Sequence, residues 1–279
     1  MTTTVATPTV KDAVYASLST AQKLDLYLPA GNGPFPVVIN IHGGGFSGGD
    51  KSNPAIADQL LAAGYAVASV NYRLSGEAKA PAQIQDIKAA VRWLRANAAK
   101  YNLNSQKFAA FGQSAGGSLA ALLGTSCGVA ALEGADLGNA DQSSCVQAVV
   151  DWFGPTDFLQ MDAHRIQGGM VHSTPDSPEA KLIGGPVLEN KEKAARANPI
   201  TYITKDDPPF LIIHGDADPL VPHHQSELLE AALKKANIPV SFYTVKGGGH
   251  GGFRDPNVPR ITKEFLDKNL KPAQPKRSS

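Results

Sequence analysis

Short runs of apolar residues alternate with amphipathic stretches along most of the chain. The run at 36–41 is almost continuously apolar, as expected for a strand buried on both faces. In 83–99, apolar residues recur three and four positions apart, which predicts an amphipathic helix. The same patterns predict further strands at 65–70, 107–111, 146–150, 210–214 and 240–245, and helices at 54–63, 115–123, 226–235 and 259–269.

Strands that alternate with helices predict a mostly parallel sheet that is covered on both faces. An antiparallel hairpin, formed by 13–18 and 23–28, brings the predicted sheet to eight strands. Residues 151–208 interrupt the alternation and predict a small lid insertion, with short helices at 177–182 and 191–197. We therefore predict an α/β fold in a single domain over 1–279. We expect no large N-terminal cap, since only about 35 residues precede the first buried strand.

Composition narrows the classes of function. The 279 residues carry a formal net charge of +1 with acids and bases interspersed, so we expect no nucleic-acid partner. The longest apolar runs are too short to cross a bilayer, and we expect no membrane span. The first ten residues lack the charged and apolar regions of a signal peptide. We expect a protein that is either cytoplasmic or secreted with its signal peptide removed, and the sequence does not indicate an oligomeric state.

The two cysteines bear on the compartment. Cys127 and Cys145 lie in a segment rich in Gly, Asp, Asn and Ser, where a loop can bring them together. A disulfide would indicate an oxidising compartment and would favour secretion, whereas two reduced thiols are the equal alternative. Neither cysteine has a second cysteine or a histidine at the spacing of zinc ligands, so no metal site is predicted.

The motif Gly112-Gln113-Ser114-Ala115-Gly116 lies between a predicted strand and a predicted helix. A Gly-x-Ser-x-Gly sequence in that position forms a nucleophile elbow, a strained turn that exposes the serine hydroxyl. The serine then lies at a helix N-terminus, where N–H groups and the helix dipole favour developing negative charge. Ser114 is therefore the predicted nucleophile.

A serine nucleophile needs a base, and in this arrangement the acid and the histidine follow the serine along the chain. His250 lies in a glycine-rich loop after the last predicted strand and is the predicted base. The loop after the preceding strand offers Asp216 and Asp218. We favour Asp218 as the acid, because its spacing to Val221-Pro222 resembles that of hydrolases whose acid precedes x-x-Val-Pro. Asp216 stays the alternative, and we expect it to tighten the turn through its own backbone.

The sequence His-Gly-Gly-Gly-Phe at 42–46 follows the first buried strand. Main-chain N–H groups of Gly44 and Gly45, with that of Ala115, are the predicted oxyanion hole. Side chains at the glycine positions would block the oxyanion. We expect His42 to hold this loop by hydrogen bonds, since it precedes the serine in the chain.

Three glycines of the same region, Gly43, Gly45 and Gly48, also match a dinucleotide-binding fingerprint. That fingerprint opens directly into a helix and is followed about 20 residues later by an acid at the end of the next strand. Here a polar run follows the glycines, and the next strand ends at Asn71. The dinucleotide interpretation fails on both counts, and no organic cofactor or metal is predicted.

With these residues assembled, the chain resembles the α/β-hydrolase esterases. The motifs HGGGF, VNYRLS, GQSAGG, DWFGPTDF, LIGGP, ANPITYI and HGDADPLVP occur in one order over almost the whole chain. They are most similar to bacterial acetylxylan and feruloyl esterase-like enzymes, which are related to hormone-sensitive-lipase-like esterases and to the catalytic domains of prolyl oligopeptidases. The hormone-sensitive-lipase-like esterases carry a helical N-terminal cap and an acid motif close to Asp-Pro-Leu-x-Asp, whereas here the first 35 residues predict a hairpin and the acid is followed by Pro-Leu-Val-Pro. The chain also has no room for the propeller of the peptidases.

The resemblance implies hydrolysis of carboxylic esters through an acyl-enzyme, with small-molecule or polysaccharide-linked esters as substrates. The alternatives are a peptidase or amidase with the same triad, an esterase with a preference for longer chains, and a non-catalytic protein on a hydrolase scaffold. Phe46, Trp152 and Phe153 are candidate substrate contacts. For Trp152 and Phe153, packing in the core under the lid is the equal alternative.

Overall fold

The alternation of apolar and amphipathic stretches produces one eight-stranded sheet within residues 6–52 and 54–272, which the computed structural model describes. The strand order is β1-β2-β4-β3-β5-β6-β7-β8. The strands are β1 (Val10–Val14), β2 (Lys23–Tyr27), β3 (Phe35–Ile41), β4 (Ala66–Val70), β5 (Leu103–Gln113), β6 (Ala148–Trp152), β7 (Phe210–Gly215) and β8 (Val240–Val245). The helices are α1 (Ala57–Ala62), α2 (Ala82–Ala96), α3 (Ala115–Thr125), α4 (Ala130–Glu133), α5 (Met161–His164), α6 (Pro178–Ile183), α7 (Lys191–Ala197), α8 (His224–Lys235) and α9 (Asn257–Leu270).

The sheet is parallel from β4 to β8, and β2 pairs antiparallel with both β1 and β4. This confirms the predicted α/β-hydrolase fold with its mostly parallel sheet. Because parallel strands end at the same edge, the loops that follow β3, β5, β7 and β8 meet above that edge. Each predicted catalytic residue lies on one of these loops.

Successive residues of β3 supply two hydrophobic cores, one on each face of the sheet. Val38 packs with Leu60 of α1 and Leu266 of α9, whereas Ile39 packs with Ile87 of α2 and the core beneath α3 and α8. None of these five side chains is more than 1% exposed. Burial on both faces explains why the strand reads as a continuous apolar run.

Most strands differ from their predicted bounds by one to four residues, and two of these differences have a visible cause. The first hairpin strand ends at Val14, not at residue 18, because the side-chain oxygen of Gln22 accepts hydrogen bonds from the N–H groups of Leu18 (2.7 Å) and Ser19 (3.0 Å). This contact bends residues 18–22 into a turn. The strand predicted at 107–111 begins earlier, at Leu103, which pairs with Phe35 across a shift in register.

The insertion at 151–208 carries α6 and α7 near their predicted positions, as well as α5, which the sequence pattern did not predict. Ser177 caps α6, since its hydroxyl accepts from the N–H of Ala180 at 3.1 Å. A buried pair ties α6 to its surroundings: His172 Nδ1 lies 2.9 Å from Glu179 Oε2, and His172 Nε2 lies 2.8 Å from the carbonyl oxygen of Leu220. The insertion is thereby fastened to the loop that follows β7.

Stability should fall as the pH rises through the titration of His172. Burial alone would lower the pKa of His172, but the hydrogen bond and charge of Glu179 outweigh it and hold that pKa above 6.5. A pKa raised on folding gives stability that is fully present below pH 6.5 and is lost as the pH rises through the folded value. The free energy of unfolding should decline there with a limiting slope of about 1.4 kcal/mol per pH unit.

Glu179→Gln is the matched variant for this prediction. A glutamine amide can donate to Nδ1 of a neutral imidazole, while Nε2–H still donates to Leu220. Urea unfolding from pH 5 to 9 should therefore show a smaller loss of stability on the alkaline side in the variant than in the wild type. Parallel pH curves for the two proteins would contradict the prediction.

Cys127 and Cys145 form a disulfide, with their Cα atoms 5.0 Å apart, so the bonded alternative is the one observed. The enclosed segment is also held by α2. Arg92 Nη1 donates to the carbonyl oxygen of Glu133 at 2.6 Å, and Lys88 Nζ lies 2.6 Å from Glu133 Oε1. The bridge therefore closes a loop that already packs against a buried helix.

Residues 1–5 and 273–279 lie outside the described part of the chain, so the prediction about the first ten residues falls partly outside it. Within 6–52 and 54–272, no helix combines the length and apolarity needed to cross a membrane. The elements there assemble on the one sheet, and a single domain over 1–279 stays a prediction.

Candidate active site

The turn from β5 to α3 places Ser114 at the N-terminus of a buried helix. Its φ of 55° and ψ of −125° lie in a region that side chains rarely adopt, which is the strain expected of a nucleophile elbow. The turn is tight enough that a Cβ atom on Gly112 would overlap the carbonyl oxygen of Gly116. The N–H of Ser114 donates to the carbonyl oxygen of Trp152 at 2.9 Å, which fixes the turn against β6.

The structure brings the three predicted triad side chains together from loops far apart in the chain. Ser114 Oγ lies 2.8 Å from His250 Nε2, and His250 Nδ1 lies 2.7 Å from Asp218 Oδ2. Since a carboxylate only accepts, Nδ1 of His250 carries the hydrogen and Nε2 is free to accept from the serine hydroxyl. This is the tautomer that a general base for Ser114 requires.

Asp218 is buried and accepts four hydrogen bonds. Its Oδ1 accepts from the N–H groups of Leu220 (2.8 Å) and Val221 (3.0 Å), while Oδ2 faces His250 and His214. Burial alone would raise the pKa of Asp218, but these hydrogen bonds and the nearby histidine hold it well below its usual range. The carboxylate is therefore ionised throughout the neutral range.

Asp216 lies away from His250, and one detail of its prediction is corrected. Its Oδ1 accepts from the N–H of Gly247 at 2.6 Å, and its Oδ2 lies 3.1 Å from Lys246 Nζ, so it joins two neighbouring loops. The turn itself is closed by Asp218, whose Oδ1 receives the N–H groups two and three residues further along. The sequence alone did not show which aspartate closes the turn.

The glycine loop after β3 lies beside Ser114 with unpaired donors. Within the described residues, the N–H groups of Gly44, Gly45 and Ala115 have no hydrogen-bond acceptor. Gly44 has a φ of 113°, and a Cβ atom there would overlap the carbonyl oxygen of Gly48. Glycine is therefore required for this loop shape. The arrangement can accept an oxyanion formed at a carbonyl carbon bonded to Ser114.

His42 holds this loop through a hydrogen bond and a ring contact. Its Nδ1 donates to the carbonyl oxygen of Gly43 at 2.8 Å, and its ring stacks on that of Tyr72 at 4.5 Å. Tyr72 in turn donates to the carbonyl oxygen of His42 at 2.9 Å. Burial lowers the pKa of His42, so the ring is neutral at neutral pH. These contacts match the loop-holding role predicted for His42.

The insertion contacts the opposite side of the glycine loop. A Cβ atom on Gly45 would lie 3.2 Å from Cβ of Pro178, the first residue of α6. Because α6 is also joined to the loop of Asp218 through the His172–Glu179 pair, this short helix contacts both the glycine loop and residues 216–223, which we call the acid loop.

The three candidate substrate contacts are deeply buried. Phe46, Trp152 and Phe153 expose only 1%, 7% and 4% of their surface. The ring of Phe153 packs edge-on against that of His250, with centroids 4.7 Å apart, and Trp152 packs against Phe111. This burial favours the core-packing alternative for the pair, and a contact with substrate stays a prediction.

The sequence analysis did not single out His214, the second histidine that contacts Asp218. Its Nε2 lies 3.1 Å from Asp218 Oδ2. The available signal was its position: a histidine at the end of an apolar strand, four residues before the favoured acid. A buried imidazole needs hydrogen-bond partners, and the loop that follows the strand is the part of the chain nearest to it.

Sequence comparisons identify the family. The profile of the BD-FAE family matches residues 24–233, and that of TAP-like proteins matches residues 189–278. The esterase LipQ of Mycobacterium tuberculosis is 30% identical over 221 residues, which cover 78% of this chain and 50% of LipQ. The chain thus spans about half the length of the curated relatives it matches.

Solved structures extend the likeness to the full fold. A truncated carbohydrate esterase from gut microbiota is 36% identical with a TM-score of 0.88, and the match covers 96% of this chain and 98% of that one. A bifunctional GH43-CE protein from Bacteroides eggerthii is 40% identical with a TM-score of 0.85, over 94% of this chain and 35% of that one.

Proposed function

The chain belongs to the BD-FAE family of α/β-hydrolases, and on that premise we propose that it is a serine carboxylic-ester hydrolase that acts through an acyl-enzyme. The observation that carries the proposal is the continuous hydrogen-bonded line from Ser114 through His250 to Asp218. A binding protein has no need of nucleophile, base and acid in this alignment. Their roles follow from the direction in which each hydrogen bond can run.

Ser114 Oγ attacks the ester carbonyl carbon while its proton passes to His250 Nε2. The carbonyl oxygen becomes an oxyanion that accepts from the N–H groups of Gly44, Gly45 and Ala115. The imidazolium of His250 then protonates the leaving alcohol, and the acyl-enzyme remains. Water repeats the sequence at the acyl carbon, with His250 first taking its proton and then returning one to Ser114. Asp218 stays ionised and stabilises the imidazolium in both halves.

The substrates we propose are short-chain acyl or aromatic esters of the acetyl and feruloyl type, including esters of carbohydrates. Two structural relatives are described as a carbohydrate esterase and a bifunctional GH43-CE protein, which supports this class. Within the described residues, the cover near the site comes from the insertion, whose helices are four to seven residues long. Such a small cover favours an open cleft that admits an ester on a bulky alcohol.

The test compares an ester substrate with an amide substrate. We expect rapid turnover of p-nitrophenyl acetate and little turnover of an amino-acid p-nitroanilide, because amide cleavage requires protonation of a far poorer leaving group. Fast anilide cleavage with negligible ester cleavage would identify a peptidase or amidase instead. A fluorophosphonate probe should label the wild-type protein at Ser114, and its failure to do so would contradict a serine mechanism of any kind.

A second panel tests the acyl group. Acetate and propionate esters of p-nitrophenol should be cleaved faster than decanoate esters, and acetylated xylan and methyl ferulate should both be examined as natural-type esters. A preference for the long chains would overturn the short-acyl proposal while leaving the serine mechanism in place.

A further inference from the structure

His214 is the penultimate residue of β7, directly before the loop that carries Asp218, and the proposed reaction does not use it. The residue lies in β7 and is fully buried. Its Nε2 lies 3.1 Å from Asp218 Oδ2 and 3.0 Å from the carbonyl oxygen of Val221. Its Nδ1 lies 2.7 Å from Ser226 Oγ in α8. Every polar atom of this ring therefore has a partner inside the protein.

The partners determine which nitrogen carries the hydrogen. Both groups facing Nε2, an ionised carboxylate and a carbonyl, can only accept. Nε2 of His214 is therefore protonated and shares its hydrogen between Asp218 and Val221. The hydroxyl of Ser226 can donate to Nδ1 or accept from it, so it satisfies the ring in either case. Asp218 Oδ2 thus receives an N–H from each of two histidines, His214 and His250.

We propose, on the basis of the esterase function above, that His214 is a positioning residue that holds the triad acid in place and limits how strongly Asp218 attracts the proton on His250. It acts through Asp218 and touches no reacting atom. By bonding to Asp218 and to Val221 at once, it also ties the two sides of the acid loop together.

Two consequences follow for the reaction. Each donor to a carboxylate oxygen withdraws some of its charge, so removing the His214 contact leaves more charge for His250. His250 would then hold its proton more tightly, and the acidic limb of the pH–rate profile would move to higher pH. Loss of the His214 contacts to Asp218 and Val221 would also let the carboxylate move. This lowers kcat, because catalysis depends on a fixed geometry of the reacting groups.

The titratable groups that face His214 from the start of α8 do not obscure the effect. The ring of His223 lies 5.5 Å from that of His214, and burial lowers its pKa, so it is neutral where activity is measured. Glu227 lies on the far side of His223, with which it pairs at 3.2 Å. Phe153, the remaining ring against His214, is apolar.

A pair of amide substitutions separates the two nitrogens of the ring. The side-chain amide of glutamine reaches the position of Nε2, whereas that of asparagine reaches only the position of Nδ1. We expect His214→Asn to lower kcat for p-nitrophenyl acetate about tenfold, since the variant loses a hydrogen bond to a charged group and relaxation recovers only part of that loss. Its KM should be unchanged and its acidic limb should lie at higher pH. His214→Gln should keep kcat within about threefold of the wild type and keep the wild-type profile.

Ser226→Ala is a further control, because it removes the partner of Nδ1 and leaves the contact to Asp218. Its profile should match that of the wild type. Equal loss of kcat in the Asn and Gln variants with unmoved acidic limbs would assign His214 a merely structural role and overturn the proposal. Wild-type behaviour of His214→Asn would overturn it as well.

One measurement does not depend on any variant being folded. ¹⁵N chemical shifts of the histidine rings in the wild-type protein report which nitrogen of His214 is protonated, and we expect Nε2 from pH 6 to 9. A hydrogen on Nδ1 alone would overturn the proposal. Failure of the proposed function would show itself differently, as a wild-type protein that neither cleaves esters nor reacts with a fluorophosphonate.

Discussion

Ser114→Ala should lower kcat for p-nitrophenyl acetate by about 10⁶-fold, close to the full contribution of a serine triad. The substitution removes Ser114 Oγ, which lies 2.8 Å from His250 Nε2, so no acyl-enzyme can form. The strained backbone at residue 114 is equally unfavourable for alanine, and we expect little change in the unfolding temperature. Burst kinetics and fluorophosphonate labelling should disappear together with turnover.

Ser118→Ala is the matched control for this variant. Ser118 lies one turn further along α3 and is also buried, but the hydrogen bonds of the His250 ring go to Ser114 and Asp218. Its turnover should stay within about threefold of the wild type, as expected for a small change away from the reacting groups. Substantial residual turnover in Ser114→Ala, beyond what contamination by wild-type protein explains, would assign the nucleophile to another group.

Asp218→Asn should lower kcat by about 10⁴-fold through the wrong histidine tautomer. All four contacts of Asp218 come from donors, two backbone N–H groups at Oδ1 and two histidine nitrogens at Oδ2. An asparagine must present its NH₂ group to one of these pairs. If the NH₂ group faces His250, it donates to Nδ1 and thereby favours the tautomer with hydrogen on Nε2. The ring can then no longer accept a hydrogen bond from Ser114.

Asp216→Asn tests the alternative acid on the same loop. Asp216 contacts Gly247 and Lys246 and does not reach His250, so kcat should stay within about twofold of the wild type. A full pH–rate profile and an unfolding curve for both variants separate loss of the base from loss of the fold. The assignment of the acid fails if the two aspartates exchange these outcomes.

Much of the fold is readable from the sequence because its periodicities are strong. β3 is buried on both faces and reads as a continuous apolar run, and α2 shows its apolar face at helical spacing. The ends of the strands are harder to predict from the sequence, because tertiary contacts determine them. β1 ends before a turn in which the side chain of Gln22 accepts hydrogen bonds from two N–H groups, and no local sequence pattern predicts that contact.

The residues of the candidate site also differ in how far the sequence alone identifies them. Ser114 and the glycine loop stand in local motifs whose turn geometry requires those residue types, so the sequence alone locates them. The choice of Asp218 over Asp216 depended on a resemblance in spacing, and the structure places Asp218 within reach of His250. His214 could not be assigned from the sequence, since its partners come from the acid loop and from α8 and depend on how these pack.

The brace formed by α6 has a consequence for exchanging segments between relatives. Pro178 lies against Gly45 of the glycine loop. Glu179 contacts His172, which in turn contacts the carbonyl oxygen of Leu220 in the acid loop. A chimera that grafts a foreign insertion onto this scaffold to alter its substrate range must carry a proline and a buried His–Glu pair at these places. Without them, the graft would change the catalytic power of the enzyme together with its selectivity, because the same short helix serves both.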